Sequence, residues 1–297
     1  MPPLSRAPDL APESDDITLP PTSSGQPVLR VRRGSAALMD DEVIEEVPVA
    51  LVYNGISQAV MLASPADLED FALGFSLAEG ILAHRRELYD LEIRNTCDGI
   101  SVEMEIAPQR FLALKERRRN LAGRTGCGLC GVESLAEVSR MPDALPPGAG
   151  HFPDLSAIDE GLRQLPDWQS LHRQTGAAHG AAWADLHGNI LCCREDVGRH
   201  NALDKLIGAL ARAEQPRPPG FALVTSRASY EMVQKAASAG ISALVAISAP
   251  TALAIRQAET LGMLLIGFAR PGQLVAYSQR ERLNCVPKAN APALTLI

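Results

Sequence analysis

The C-terminal third of the chain alternates short apolar runs with segments of helical pattern. The runs are residues 221–225, 243–247 and 263–268, and the helix-like segments between them are residues 229–239 and 251–261. Apolar runs that are too short for helices, each separated from the next by one helix, are typical of βαβ units. The alternation therefore predicts an α/β fold whose core sheet contains at least three parallel strands.

The carboxyl ends of these predicted strands carry small and basic residues. Ser226 and Arg227 follow the first run, Ser248 follows the second, and residues 268–273 end the third. Ligands of open α/β sheets bind outside the carboxyl ends of the strands, and helix N-termini at that edge favour phosphate. We therefore predict a phosphate-bearing ligand here, with Arg227 or Arg270 as a charged fork. The alternative is that these are ordinary polar loop residues.

The N-terminal half predicts a smaller, β-rich unit. Short apolar bursts between residues 27 and 60, with a turn signal at residues 53–55, favour a small antiparallel unit. The alternation over residues 91–106 predicts further strands. Between these regions, Ser64 is the predicted N-cap of a helix that ends near Gly80.

We expect three stretches with different roles. Residues 1–26 are rich in Pro, Ser and acidic side chains, which indicates a disordered arm, and they lack the basic-then-apolar layout of a secretory signal. Residues 27–150 form an N-terminal α+β portion that ends in a mobile cysteine loop. Residues 151–297 form a C-terminal α/β cofactor-binding domain, which begins with a helix over residues 156–174 that breaks at Pro166.

Charge and hydropathy narrow the possible partners. The net charge of −7 argues against broad, nonspecific binding to nucleic acid or to anionic membranes. No stretch of the sequence approaches the roughly 18 consecutive apolar residues of a membrane-spanning helix. We therefore expect a cytoplasmic protein with no nucleic-acid or membrane partner.

Two of the six cysteines, Cys127 and Cys130, form a C-x-x-C pair within the glycine-rich segment 126–131. The basic residues of segment 110–124 should favour the thiolate, and the glycines should let the loop move. Four interpretations remain open: a sulfur carrier that holds a persulfide, a general dithiol oxidoreductase, a structural zinc site and an inert buried pair. We expect the remaining cysteines to be structural, namely Cys97, Cys192, Cys193 and Cys285.

A dense polar stretch, residues 194–201, follows an apolar run and precedes a helical pattern. A solvated charge run is the ordinary explanation of such density. Site residues also gather between a strand and a helix, however, so the two carboxylates are candidates for orienting Arg199 or binding a guanine edge, and His200 is a candidate for moving a proton. The candidates are Glu195, Asp196, Arg199 and His200. His179, after a Gly/Ala-rich turn, is a further candidate, for which a structural role is the alternative.

Four motifs, in this order along the chain, are similar to those of one protein family. They are GCGLCG at 126–131, EDVGRHNA at 195–202, SRASYEM at 226–232 and FARPG at 268–272. Together they make the chain resemble the formate dehydrogenase accessory sulfurtransferase family (FdhD/NarQ) from about residue 27 to residue 283. The resemblance implies a homodimer. It also implies a cytidine-deaminase-like three-layer α/β/α core with a mixed or parallel sheet, plus a smaller N-terminal β-rich portion.

The same resemblance implies a function. Members of the family accept sulfur from a cysteine desulfurase and pass it to the bis-guanylate molybdenum cofactor, Mo-bis(molybdopterin guanine dinucleotide), before that cofactor enters formate dehydrogenase. By similarity, Cys127 would carry the persulfide and Cys130 would assist. The alternative is a non-catalytic chaperone that binds the cofactor and docks on formate dehydrogenase.

The predicted cofactor-binding set combines the edge, the polar stretch and the family motifs. Residues 268–273 match the segment that binds the guanylate part, and GDP or another guanine nucleotide should serve as an analogue of it. No metal site of the chain's own is expected. The full set is Phe268, Ala269, Arg270, Pro271, Gly272, Gln273, Ser226, Arg227, His179, Glu195, Asp196, Arg199 and His200.

Overall fold

The computed structural model describes residues 19–122, 144–145 and 152–283. Cys127, Cys130 and Cys285 lie outside these ranges, as do residues 1–18 of the predicted arm. What the sequence predicts for them therefore stays a prediction. No helix in the described ranges is both long and apolar enough to cross a membrane.

Six strands, two α-helices and one short 3₁₀ helix, Arg85–Glu87, make up the described N-terminal part. The strands are β1 Ser23–Arg32, β2 Ser35–Ile44, β3 Val47–Tyr53, β4 Ile56–Ala63, β5 Leu88–Thr96 and β6 Gly99–Ile106, and the helices are α1 Leu68–Ala78 and α2 Pro108–Ala122. β1 and β2 form a separate ribbon, and the other strands form a sheet in the order β4-β3-β6-β5. The antiparallel pairs β3–β4 and β5–β6 confirm the predicted strands. β3 and β6 pair in parallel, which no local pattern predicts.

The turn between β3 and β4 follows from its sequence. Asn54 and Gly55 both have positive φ angles, 46° and 78°. Two adjacent residues in that region form the type of tight turn whose twist matches a β-hairpin, and Asn-Gly is its preferred sequence. The predicted turn at residues 53–55 is therefore confirmed.

The first ribbon corrects the boundary of the predicted arm. β1 begins at Ser23, which pairs with Ile44 of β2, so the prediction of disorder is wrong for residues 23–26. Gln174 fixes the base of the ribbon, because its Nε2 donates to Ser23 Oγ at 3.0 Å. The composition of the arm does not indicate this pairing, because the two partners of Ser23, Ile44 and Gln174, lie further along the chain.

The C-terminal part contains the larger sheet. Its strands are β7 His179–Asp185, β8 Ile190–Asp196, β9 Gly220–Val224, β10 Ala243–Ala246, β11 Leu264–Arg270 and β12 Gln273–Ser278. Its helices are α3 Leu155–Trp168, α4 Ser170–Thr175, α5 Arg199–Arg212, α6 Tyr230–Ser238 and α7 Ala252–Leu261. The strand order is β12-β11-β10-β9-β7-β8. β9, β10 and β11 are parallel, as predicted, while β12, β7 and β8 run antiparallel to their neighbours, so the sheet is mixed.

Helices cover both faces of this sheet. Ala222, Val224 and Leu244 pack with α5, α6 and α7 on one face, whereas the alternate residues Leu223 and Val245 pack with α3 on the other. Strands that are buried on both faces read as continuous apolar runs, which explains the sequence pattern. The predicted three-layer α/β core is confirmed, and the likeness to cytidine deaminases stays a prediction. The predicted helix break falls at Gln169, three residues after Pro166, which lies inside α3.

Helix α1 joins the two parts of the chain through a close contact with α5. A Cβ atom built on Gly74 of α1 would lie 1.7 Å from the Asp204 carbonyl oxygen, and one built on Gly208 of α5 would lie 1.9 Å from the Asp70 carbonyl oxygen. Only glycine allows backbones to approach this closely. α1 also contributes Phe71 and Leu73 to the core of the smaller sheet. The contact therefore locks the two predicted portions together.

Candidate functional site

The carboxyl ends of the three parallel strands meet at one edge, as predicted. The loop after β9 is joined to the loop after β10, because Ala228 N–H donates to the Ala249 carbonyl at 3.2 Å and Thr251 N–H donates to the Ala228 carbonyl at 3.0 Å. The third strand joins them where Phe268 N–H donates to the Ser248 carbonyl at 3.2 Å. We call this part of the molecule the ligand edge.

The antiparallel strands bring the second group of candidates to the same edge. His179 begins β7 and is the register partner of Asp196, which ends β8. Gly180 N–H donates to Thr225 Oγ1 at 2.9 Å, which ties the start of β7 to the end of β9. Helices α5, α6 and α7 all begin at this edge, after Gly198, Ser229 and Thr251 respectively. The structure therefore brings together the edge residues and the polar stretch.

The predicted guanylate segment, residues 268–273, comprises the end of β11, the turn after it and the first residue of β12. Phe268 has a φ of 50° and is 46% exposed, so an aromatic ring is held at the surface by an unusual backbone. A non-glycine residue in this region is strained and is more common at functional sites. Arg270 is not an open fork, because its guanidinium donates to the Ile247 and Ala269 carbonyls. Gly272 N–H donates to Asp159 Oδ1 at 3.0 Å, which fixes the turn against α3.

Asp196 is fully buried and has four protein donors. Its Oδ2 lies 2.6 Å from Lys205 Nζ and accepts from the Ser64 N–H at 3.0 Å. Its Oδ1 accepts from the Gly198 N–H at 2.8 Å and from the Asn201 amide at 2.9 Å. A carboxylate with this many internal donors holds the turn that follows β8. Asp196 therefore supports the ligand edge from inside the protein.

Ser64 belongs to this buried cluster and not to the start of a helix. Helix α1 begins at Leu68, after Asp67 with a φ of 53°, so the predicted N-cap is wrong. Ser64 Oγ instead accepts from the Val197 N–H at 3.0 Å, and the Ser64 carbonyl accepts from Lys205 Nζ at 3.0 Å. Its partners lie more than a hundred residues away, which the local sequence could not indicate.

Glu195 also has an internal role. Its two carboxylate oxygens accept from the Leu171 and His172 backbone N–H groups, both at 2.8 Å. These N–H groups belong to the first turn of α4, where a negative charge satisfies free donors. Glu195 thus fixes the helix that leads to His179.

Two donors at the ligand edge have no hydrogen-bond or ion-pair partner among the residues that the structure describes; His200 Nε2 also makes no hydrogen bond there, but it lies 2.7 Å from Glu231 Oε2. The two donors are the buried atoms Arg199 Nε, in the first turn of α5, and Ser229 Oγ, at the N-cap of α6. Buried polar atoms without partners are rare in native proteins, and each calls for an explanation. Because both lie where helix N-termini already favour negative charge, an anionic ligand group fits them.

Two histidines complete the edge. His200 Nε2 lies 2.7 Å from Glu231 Oε2, which connects α5 with α6. Burial lowers the pKa of His179, and the positive charge of Arg199 lowers it further. His179 therefore stays neutral near pH 7 and can accept a proton or a hydrogen bond. Arg227 is exposed at the same edge, next to the buried Ser226, whose Oγ donates to the Arg227 carbonyl at 3.0 Å.

The described flanks of the cysteine segment lie at the opposite edge of the large sheet. Leu145 N–H donates to the carbonyl of Leu261, the last residue of α7, which leads into β11 at its amino end. On the other flank, Arg117 of α2 donates to the Glu79 carbonyl at 3.3 Å, and Glu79 contacts Lys235 in the last turn of α6. Cys127 and Cys130 themselves lie outside the described residues, so their position relative to the ligand edge stays a prediction.

The three described cysteines are free thiols, and burial works against ionisation of two of them. Burial raises the pKa of Cys192, and it raises the pKa of Cys193 to about 12. Cys97 is exposed in the turn between β5 and β6. Within the described ranges, no group of three or more His, Cys, Asp or Glu side chains is placed to hold a metal ion.

Sequence reasoning missed the buried lysines. Lys205 and Lys235 lie on otherwise apolar helix faces, where a charged residue is unexpected unless it is paired. A lysine within an apolar helix face was therefore the sequence signal that could have indicated a buried ion pair. A cavity of about 310 Å³ was also missed, because it forms between β8, the end of α5 and the loop before β9, which are distant in sequence.

Comparison with known proteins identifies the family. Residues 44–284 match the model of the FdhD/NarQ family. The chain belongs to this family. Two relatives named sulfur carrier protein FdhD support the assignment: one from Cupriavidus necator is 54% identical over 279 residues (94% of this chain and 96% of the relative), and one from Bordetella petrii is 55% identical over 263 residues (88% and 94%).

A solved structure has the same fold as this chain. It is the crystal structure of a formate dehydrogenase accessory protein from Desulfotalea psychrophila, with a TM-score of 0.71 and 23% identity. The likeness covers 89% of this chain and 100% of that chain. At this level of identity, it shows the fold alone.

Proposed function

We propose that this FdhD/NarQ member is a sulfur carrier that serves formate dehydrogenase. Cys127 accepts sulfur from a cysteine desulfurase, and the acceptor is the molybdenum bis-guanylate cofactor, bound as substrate at the ligand edge. The names of the relatives support the sulfur-carrier role, and the name of the structural neighbour supports the connection with formate dehydrogenase. We further propose that the protein acts in the cytoplasm as a homodimer.

The observation that carries the proposal is the set of unsatisfied donors at the ligand edge. Arg199 Nε and Ser229 Oγ are buried without partners beside two helix N-termini. The phosphates of a guanylate group supply hydrogen-bond acceptors for these two donors. Its base can stack on an exposed aromatic ring such as that of Phe268.

The sulfur chemistry needs two thiols and an outside reductant. The Cys127 thiolate attacks the terminal sulfur of the donor's persulfide, which breaks the donor's S–S bond, forms a persulfide on Cys127 and releases the donor thiolate. The Cys130 thiolate then attacks the Cys127 sulfur. This step forms a disulfide and releases hydrosulfide for the cofactor. An exogenous dithiol reduces the disulfide before the next cycle.

Mass measurement on the loaded protein tests the transfer. After incubation with a cysteine desulfurase and cysteine, a Cys130→Ala protein, which cannot release the sulfur by the second step, should gain the mass of one sulfur atom, and a Cys127→Ala protein should not. Cys97→Ala is the matched control, because Cys97 is an exposed cysteine outside the proposed chemistry and its loss should leave loading unchanged. Restoration of formate dehydrogenase activity by the Cys127→Ala protein would instead favour the non-catalytic chaperone.

GDP binding tests the ligand edge separately. Arg199→Gln removes a charged donor that has no internal partner, so GDP affinity should fall by about tenfold or more, as expected for a hydrogen bond to a charged group. Isothermal titration calorimetry measures the change, and Arg173→Gln, on the exposed side of α4, is a control that should bind GDP normally. Equal GDP affinity in all three proteins would place the nucleotide elsewhere.

A further inference from the structure

The ribbon formed by β1 and β2 carries apolar side chains that are exposed to solvent. Leu38 is 83% exposed, its cross-strand partner Leu29 is 60% exposed, and Val31 is 63% exposed. Residues two apart on a strand share a face, so these three side chains lie on the same face of the ribbon. Apolar side chains grouped on an exposed face mark an interaction surface, and a two-stranded ribbon by itself is only marginally stable in water. The ribbon therefore fits a protein surface that covers this face.

The tip of the ribbon is basic. Arg33 and Gly34 form its two-residue turn, with φ angles of 45° and 84°. Arg30 and Arg32 lie in the last three residues of β1, and Arg30 is 3.5 Å from Asp41 on the neighbouring strand. Positive charge at the end of an exposed element favours an acidic surface on a partner.

The smaller sheet has an exposed apolar surface as well. Helices α1 and α2 cover one face of this sheet, and we call the opposite face the outer face. On β4 the outer face carries Val60 and Leu62, which are 62% and 55% exposed. Their register partners on β3 are Ala50 and Pro48, so the β3–β4 half of the outer face is apolar.

The other half of the outer face, on β5 and β6, is acidic. Glu103 lies opposite Glu92, and Glu105 lies opposite Asp90. Arg94 is 2.8 Å from Glu92 and 3.4 Å from Glu103, so it offsets only part of this charge. The outer face is therefore apolar on one side and acidic on the other, as the ribbon is apolar along its length and basic at its tip.

The two surfaces also match in spacing. Arg32 follows Leu29 by three residues, which is about 10 Å along a strand. In the smaller sheet, β3 and β5 are two strand spacings apart, which is also about 10 Å. A ribbon that lies across the outer face can therefore place its leucines on β3 and β4 while its basic tip lies over the acidic half.

We propose that the ribbon of one protomer packs across the outer face of a second copy of this chain, and that the two copies exchange ribbons about a two-fold axis. This inference rests on the proposed homodimer. Within one chain the ribbon does not cover its own outer face, because both surfaces are exposed. A two-fold axis repeats each contact, so both ribbons and both outer faces are covered together.

The size of the contact suits a stable dimer. Each ribbon strand has ten residues. One face of the ribbon therefore measures about 33 Å by about 10 Å, or about 330 Å². The two ribbons and the two outer faces together bury about 1,300 Å², within the roughly 1,200–2,000 Å² of specific interfaces.

Sedimentation velocity on three variants tests the exchange. Leu38→Glu puts a charge on the apolar face of the ribbon, and Val60→Lys puts one on the outer face. Each should raise the dimer Kd by at least about 100-fold, because the altered contact occurs twice in the dimer. Leu112→Glu is the matched control, since Leu112 is 60% exposed on α2, and it should stay a dimer. All three positions are exposed, and a circular dichroism spectrum like that of the wild type establishes that each variant is folded.

Mixing the two interface variants makes the test specific for exchanged ribbons. In a mixed dimer, the unaltered ribbon of the Val60→Lys chain meets the unaltered outer face of the Leu38→Glu chain. In the second contact the two introduced charges have opposite signs. An equimolar mixture should therefore form dimers with a Kd at least about tenfold below that of either variant alone.

The inference is wrong if the wild-type chain is a monomer, if either interface variant stays a dimer as Leu112→Glu does, or if the mixture stays monomeric. A monomeric wild type would also overturn the proposed homodimer and leave both surfaces to a different partner. A dimer that resists the variants would keep the homodimer and place its interface elsewhere. Sulfur loading and GDP binding test the rest of the proposed function independently of these results.

Discussion

Replacement of Lys205 by Met is the sharpest test of how the ligand edge is held. Lys205 is fully buried and donates to the carboxylate of Asp196 and to the carbonyl of Ser64. Met keeps much of the length of the side chain and removes its charge, so the change deletes the ion pair with little loss of volume. It leaves Asp196 buried with three donors in place of four.

The expected loss of stability follows from the geometry. At 2.6 Å and an effective dielectric constant of about 20, the Coulomb attraction within the pair is roughly 6 kcal/mol. The three remaining hydrogen bonds to Asp196 offset part of that loss. Breaking one side of a buried ion pair usually costs about 3–5 kcal/mol. We therefore expect Lys205→Met to lower the free energy of unfolding by about 4 kcal/mol, a large share of a total that is typically about 5–15 kcal/mol.

Urea denaturation with a double-mutant cycle measures this value. Circular dichroism and tryptophan fluorescence should give coincident transitions before a two-state fit is applied. Asp196→Asn alone leaves the buried charge of Lys205 without its counter-ion, whereas Asp196→Asn combined with Lys205→Met removes both charges. The double variant should therefore lose at least about 2 kcal/mol less than the sum of the single changes. A loss below about 1 kcal/mol for Lys205→Met, or additive single changes, would refute the reasoning.

Two further predictions concern packing and pH. Gly208→Ala places a methyl group 1.9 Å from the Asp70 carbonyl oxygen, so α1 and α5 must move apart. The urea midpoint should therefore fall by an amount equivalent to about 3 kcal/mol or more in the free energy of unfolding. A change below about 1 kcal/mol would contradict the close crossing. Because the folded-state pKa of His179 lies below its unfolded value of 6.5, the unfolded chain binds more protons under acid conditions, and stability should fall as pH drops below about 6.5. His179→Asn should lose less stability than wild type between pH 7 and pH 5, and parallel pH profiles for the two proteins would exclude this role.

The parallel core could be predicted because its signals are local. Each of the strands β9, β10 and β11 is buried on both faces and is followed by a helix or a tight turn, so residues within a short window determine the pattern. The convergence of Ser226, Ser248 and Phe268 at one edge follows from that topology alone. The polar stretch at 194–201 could be predicted in the same way, since it lies between a strand and a helix.

The roles within the site could not be predicted, because they depend on partners far along the chain. Glu195 and Asp196 read as ligand contacts, yet their oxygens accept from residues near positions 171 and 64. Arg270 reads as a free cation, yet it donates to the Ile247 carbonyl, just after β10, and to the Ala269 carbonyl of its own strand. A sequence shows which groups lie near an edge, but the choice between facing a ligand and supporting the backbone is made by tertiary contacts.

The glycine crossing between α1 and α5 affects how the protein can be made. One side of α1 can pack on the smaller sheet once residue 106 has left the ribosome. The side with Gly74 packs on α5, which is complete only when synthesis has reached Arg212 of the 297 residues. The nascent first half therefore emerges with an uncovered helix surface. A fragment that stops at residue 150 would carry this surface permanently, so we expect it to aggregate instead of behaving as an independent module.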